Sequence, residues 1–147
     1  MYLRYQGINH VSILVRNNER ARHFFVDVLG FRQHKRIPVW FVGGSGVVHA
    51  VEIPDAPMEK PLPYDVVRHA AFQVDDLQEV LARLLRASLK PYQVDMQMQQ
   101  KFLTDPNDDL SYGTETVFVA DYDGNLFEFV QIGRGLFVEE ADLFQEK

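Results

Sequence analysis

Two histidines, His10 and His69, fall at the same place in a repeated pattern, and two more side chains able to hold a metal, His49 and Glu128, fall at another. Laid without gaps, Ile-Asn-His-Val-Ser-Ile-Leu-Val (8–15) matches Val-Arg-His-Ala-Ala-Phe-Gln-Val (67–74), and each run leads into a helical pattern. Val-Val-His-Ala-Val-Glu-Ile (47–53) likewise lies over Leu-Phe-Glu-Phe-Val-Gln-Ile (126–132), which sets His49 on Glu128. Imidazole and carboxylate are the donors that divalent transition metals accept where thiolate is missing, and the chain contains no cysteine. Disulfides and a cysteine nucleophile are excluded on the same ground. Two copies of a unit are too few for a solenoid, so the repeat points to two fused modules related by a pseudo-twofold axis.

Strand alternation decides which side chains converge. On the first strand Val11, Ile13 and Val15 form an aliphatic face that belongs under a helix, leaving His10, Ser12 and Leu14 on the other. His69, Ala71 and Gln73 share the corresponding face of the second copy. Val47, His49 and Val51 share a face of a later strand, and Leu126, Glu128 and Val130 share a face of the last. Four metal-competent groups thus line one concave surface in this reading. A glutamate between Phe127 and Phe129 also needs a cation or a hydrogen-bond partner to offset its burial.

The elements that must hold these residues are legible in each half. Arg16 to Asn18 and Asp75 with Asp76 have the chemistry of helix N-caps. Ala21, Phe24, Phe25, Val28 and Leu29 recur at helical spacing before Gly30 ends the run, and Leu77, Val80, Leu81, Leu84 and Leu85 repeat the pattern. Extended runs are expected at 31–36, 39–42 and 47–53 in the first half, and at 92–98, 115–120 and 126–132 in the second, with Gly43 to Gly46 as a hairpin turn. The expected architecture is α+β, with two βαβββ modules forming a cupped mixed sheet and helices on its outer face. Module 1 covers about 7–53, a proline-bearing linker 54–64, module 2 about 65–132 and a tail 133–147. That tail either packs on a partner or frays. His49 follows His10 by 39 residues whereas Glu128 follows His69 by 59, so module 2 carries an insertion within 99–113 that reads as a lid, a binding loop or a disordered stretch. His23 and His34 read as surface residues.

A chain of 147 residues with 46% hydrophobic content suffices for one well-buried domain made of two modules. Its net charge of −6, free of long like-charge runs, argues against a nucleic-acid partner. No apolar run reaches the roughly 18 residues of a membrane span, and the first residues lack a signal-peptide pattern, so the expected location is the cytoplasm and the expected partner a small molecule.

Several motifs carry a family resemblance: Gly-Ile-Asn-His-Val-Ser-Ile-Leu-Val (7–15), Asp-Val-Leu-Gly-Phe (27–31), Arg-His-Ala-Ala-Phe-Gln-Val-Asp-Asp (68–76) and Asp-Tyr-Asp-Gly-Asn-Leu-Phe-Glu-Phe (121–129). Together they resemble the vicinal oxygen chelate superfamily of glyoxalases, extradiol dioxygenases, and fosfomycin- and bleomycin-resistance proteins. Tyr122 stands where proline is usual in the closing motif. The resemblance implies one divalent metal per chain, zinc, nickel, manganese or iron, held by His10, His69 and Glu128. It also implies a Lewis-acid mechanism of lyase or isomerase type on a small oxygen-bearing substrate, and a homodimer, since small members often pair or exchange modules.

His49 departs from the family, because glyoxalase-type members place a carboxylate or amide there, and Glu52 is out of phase with it. Its expected role is fourth ligand or proton carrier, the bland alternative being a histidine satisfied by backbone. Glu128 is the other candidate catalytic group, and Ser12 and Trp40 are expected in the substrate pocket. Two histidines and a carboxylate also match the facial triad of iron dioxygenases. A fosfomycin-type transferase lacks an evident cluster of lysine and arginine for a phosphonate. A drug-sequestering protein of the bleomycin-resistance kind binds without chemistry and usually lacks the ligands present here.

Overall fold

The computed structural model describes residues 3–57, 66 and 68–136. Most of the expected linker and of the tail lies outside them. The chain divides into two compact units, Met1–Ala56 and Pro57–Lys147.

The first unit runs β1 (Val11–Val15), α1 (Asn18–Arg22), β2 (Arg32–Gln33), β3 (Trp40–Gly43) and β4 (Gly46–Glu52), in the sheet order β1-β4-β3-β2. This is a βαβββ module. β1 pairs with β4 in parallel and the other contacts are antiparallel. Asn17 caps α1, its Oδ1 accepting from the Arg20 N–H at 2.9 Å. The helix then widens into a π-helical turn over His23–Val28, with the Leu29 N–H reaching the Phe24 carbonyl at 3.1 Å. Fewer degrees of rotation per residue let the adjacent Phe24 and Phe25 both point inward, and both are fully buried. Phe25 stacks on Phe41 of β3 with ring centroids 5.1 Å apart. Gly30, at φ 78°, ends the turn in the left-handed region that glycine adopts without strain.

The second unit runs β5 (His69–Gln73), α2 (Leu77–Arg86), β6 (Tyr92–Val94), β7 (Gln100–Phe102), β8 (Val117–Ala120) and β9 (Leu126–Val130), in the order β5-β9-β8-β6-β7. β5 and β9 are parallel, as β1 and β4 are. Asp76 caps α2 by accepting from the Glu79 N–H at 3.1 Å. Leu77, Val80, Leu81 and Leu84 lie buried, each stabilising the unit by about 1.5–3 kcal/mol of apolar transfer.

The insertion is ordered rather than the disordered stretch that was one of its expected readings, and it extends the sheet. Residues 100–102 form β7 against β6. The Asp95 carboxylate accepts from the Gln97 and Gln99 N–H groups, both at 2.9 Å, and from the Tyr112 hydroxyl at 3.1 Å. Asp108 accepts from the Thr104 and Asp105 N–H groups. Leu103 and Leu110 are buried beneath these turns, and the buried Gln93 donates through Nε2 to the carbonyls of Leu110 (2.9 Å) and Thr116 (3.2 Å). A polar composition concealed this order, since each aspartate supplies acceptors that backbone N–H groups would otherwise seek in water.

Candidate functional site

The parallel strand pairs explain why His49 and Glu128 are equivalent. In the first unit the residue two beyond His10, Ser12, pairs with His49. In the second the residue two beyond His69, Ala71, pairs with Glu128. One register therefore places a ligand-competent side chain diagonally across from each histidine, on the face opposite the helix. The alternation of exposure supports this placement: Val48 and Ala50 are buried with His49 between them half-buried, and Phe127 and Phe129 are buried with Glu128 between them half-buried.

In the second unit the local geometry is closely defined. The His69 Nδ1–H donates to the Val66 carbonyl at 2.7 Å, which leaves Nε2 as the lone-pair nitrogen of the neutral ring. Nε2 stands 3.6 Å from Glu128 Oε1. Glu128 Oε2 accepts from the Thr116 hydroxyl at 2.9 Å, and Thr116 Oγ1 lies 2.9 Å from Thr114 Oγ1. The Phe118 ring meets His69 edge-on at 5.3 Å. The His69 and Glu128 side chains are only 25% and 12% exposed. A lone pair thus faces a carboxylate oxygen with no proton between them in the neutral form, an arrangement that a cation relieves. Two donors each about 2.1 Å from a tetrahedral ion stand roughly 3.4 Å apart, so the spacing fits a metal. A backbone carbonyl behind the imidazole and a hydroxyl behind the carboxylate are the supports that metal ligands ordinarily have.

Glu128 owes its position to the turn before it. Asp121 Oδ1 accepts from the Asp123 and Asn125 N–H groups at 2.8 Å, its Oδ2 accepts from the Asn125 side chain at 2.9 Å, and Gly124 takes φ 84°. Burial pushes the Asp121 carboxyl above the usual range, while these hydrogen bonds pull it back. The turn fixes the β8–β9 register that sets Phe118 opposite Glu128.

The first unit contributes an aromatic cluster. The His10 ring lies 4.8 Å from Trp40 and 5.9 Å from His49, and Trp40 lies 5.8 Å from His49. Trp40 and His49 are cross-strand partners. His10 Nδ1 lies 2.8 Å from Asn9 Oδ1, to which it donates, so Nε2 is again the lone-pair nitrogen of the neutral ring. Ser12 is exposed on the same face. His34, expected at the surface, is instead half-buried, with its ring 5.8 Å from Trp40. Among the described residues, no three histidine or acidic side chains are gathered into a ready metal cluster. The first unit brings His10 near His49 and the second brings His69 near Glu128.

The family model of the Glyoxalase/Bleomycin resistance protein/Dioxygenase superfamily matches residues 7–129. The chain belongs to this superfamily. Among solved structures, the glyoxalase family protein from Enterococcus faecalis is 23% identical, with TM-score 0.56 over 85% of this chain and 97% of that one. The fosfomycin resistance protein FosX from Listeria monocytogenes has TM-score 0.62 at 13% identity, over 96% of this chain and all of that one. FosX from Mesorhizobium loti has TM-score 0.54 at 17% identity, over 86% and 91%. At such identities the likeness is one of fold. No protein of curated function matches the sequence.

Thr116 and Asn9, the supports of the donor atoms, were not singled out from the sequence. Thr116 is detectable once β8 and β9 are paired around the Asp121 turn, because it shares a face with Phe118 and lies diagonal to Glu128. Asn9 adjoins His10 in the chain, yet sequence alone does not say that its side chain turns back to the ring.

Proposed function

We propose that the chain is a divalent-metal-dependent enzyme of glyoxalase type, acting on a small oxygen-bearing substrate by lyase or isomerase chemistry. The observation that carries this reading is the His69–Glu128 pair, with Nε2 and Oε1 3.6 Å apart and their outer atoms held by Val66 and Thr116. His10, with the same Nδ1 anchoring, is the third donor of the set. When bound there, zinc, nickel, manganese or iron supplies Lewis-acid polarisation of adjacent substrate oxygens.

The remaining chemistry belongs to the chain. His49 takes up and returns a proton at its imidazole nitrogen, and its neighbours Trp40 and His10 hold the ring on the face opposite the helix. Glu128 Oε1, when it is not engaged by the metal, is the alternative proton-accepting atom, while Thr116 keeps Oε2 in place. Trp40 supplies a flat wall for the substrate and Ser12 a hydroxyl beside it. We propose the active form to be a homodimer.

The test is an assay of metal-loaded protein against α-hydroxycarbonyl and catechol substrates. Turnover that chelator abolishes, that metal restores and that consumes no oxygen is the expected result. Oxygen-dependent turnover would replace this reading with the dioxygenase, and ligand binding without metal or turnover would replace it with a sequestering protein.

A further inference from the structure

The first unit carries a cleft of about 460 Å³ lined by Arg32, Gln33, His34, Lys35, Arg36 and Val42, with no carboxylate in its wall. We propose that this cleft binds a small oxyanion of the phosphate type.

Four observations support it. First, charge is divided unevenly along an acidic chain: seven Lys and Arg face four Asp and Glu through residue 56, against eight and seventeen afterwards. The cleft sits in the cationic unit, where a concave wall focuses the field on an anion. Second, among the described residues no carboxylate forms an ion pair with Arg32, Lys35 or Arg36. Third, the cleft is built by its backbone. His34 Nδ1 accepts from the N–H groups of both Arg36 and Ile37 at 3.1 Å, and the His34 N–H donates to the Trp40 carbonyl at 2.8 Å, closing a tight loop that carries Lys35 and Arg36. With Nδ1 accepting, the neutral His34 ring carries its proton on Nε2, one more donor for an anion.

Fourth, strand register links the cleft to the candidate site within the same unit. Arg32 pairs with Val42, Val42 with Val47 and Trp40 with His49, so Arg32, Val42, Trp40 and His49 share one face of the sheet. His34 touches Trp40, which touches His10. A molecule with its oxyanion against Arg32 and Arg36 and a flat spacer across Trp40 presents its other end at His10. As an anion site the cleft stands apart from the proposed metal chemistry; as the holder of a substrate arm it rests on that reading.

Calorimetric titration of the full chain with inorganic phosphate, at an ionic strength held constant with chloride, tests the proposal. Saturable binding is expected, weakened at least tenfold in Arg32→Gln/Arg36→Gln, together with a saturable change in the fluorescence of Trp40, the single tryptophan. If that double variant fails to fold by circular dichroism, Lys35→Gln/Arg36→Gln takes its place with the same expectation. Absence of saturable binding, or equal binding by the folded variant, would overturn the proposal. Zinc stoichiometry on the same samples separates the two readings: phosphate binding without zinc removes the metal and leaves the cleft, whereas zinc without phosphate binding does the reverse.

Discussion

At the scale of the residue, the proposed donor atoms are ordinary and their supports make the difference. A histidine and a glutamate on neighbouring strands form a plain ion pair if both rotate freely. Here the Val66 carbonyl selects the His69 tautomer and the Thr116 hydroxyl immobilises Glu128. Thr116→Val, which keeps the volume and removes the hydroxyl, is therefore expected to weaken metal affinity about tenfold or more without unfolding the unit, measured by competition against a chelating dye. The proposal gives His49 a separate role. His49→Ala should retain metal while turnover of the identified substrate falls by roughly a hundredfold or more, and a loss of metal instead would make it a fourth ligand. These positions were readable in the sequence because duplication reveals equivalent sites without any structure. His34 escaped the same reading because it has no counterpart in the second half, and its contact with Trp40 follows from a loop closed by its own ring nitrogen.

At the scale of the element, the apolar pattern foretold both helices, their Asn17 and Asp76 caps and the principal strands, since buried faces leave a periodic mark. The insertion left none, being held by carboxylates that accept backbone N–H groups. Its stability should accordingly depend on acid. The Gln99 N–H, with Tyr112 and Gln97, holds the Asp95 carboxyl below its ordinary range, and N–H groups do the same for Asp108, as the Ser111 hydroxyl and N–H do for Asp109. A carboxyl with a lowered folded pKa binds fewer protons folded than unfolded, so its contribution is present above the unfolded value of about 3.9 and is lost as pH falls through the folded value. Amide exchange, corrected for its intrinsic pH dependence, should show protection of residues 95–112 decreasing as the pH falls from 5 to 3, ahead of loss in α2. Unchanged protection would show that burial of Leu103 and Leu110 alone holds the insertion.

At the scale of the molecule, one module design occurs twice with different fillings. Both units place a parallel strand pair beside a capped helix and a histidine at the head of the first strand, yet one supplies a second imidazole and a tryptophan while the other supplies a hydrogen-bonded carboxylate. The architecture was legible because the repeat, the two capped helices and the closing turn agree. The cleft at 32–36 was not, because its cations read as an ordinary extended run until the loop closes around them. The proposed homodimer predicts sedimentation at twice the chain mass at micromolar concentration, and a monomer would refute it. The central claim is that His10, His69 and Glu128 together bind one divalent ion. Elemental analysis of gently loaded, desalted protein tests it most directly: near one equivalent per chain, lost in His69→Ala and in Glu128→Gln, is the predicted result, and a stoichiometry near zero, or one unchanged by His69→Ala, would contradict it.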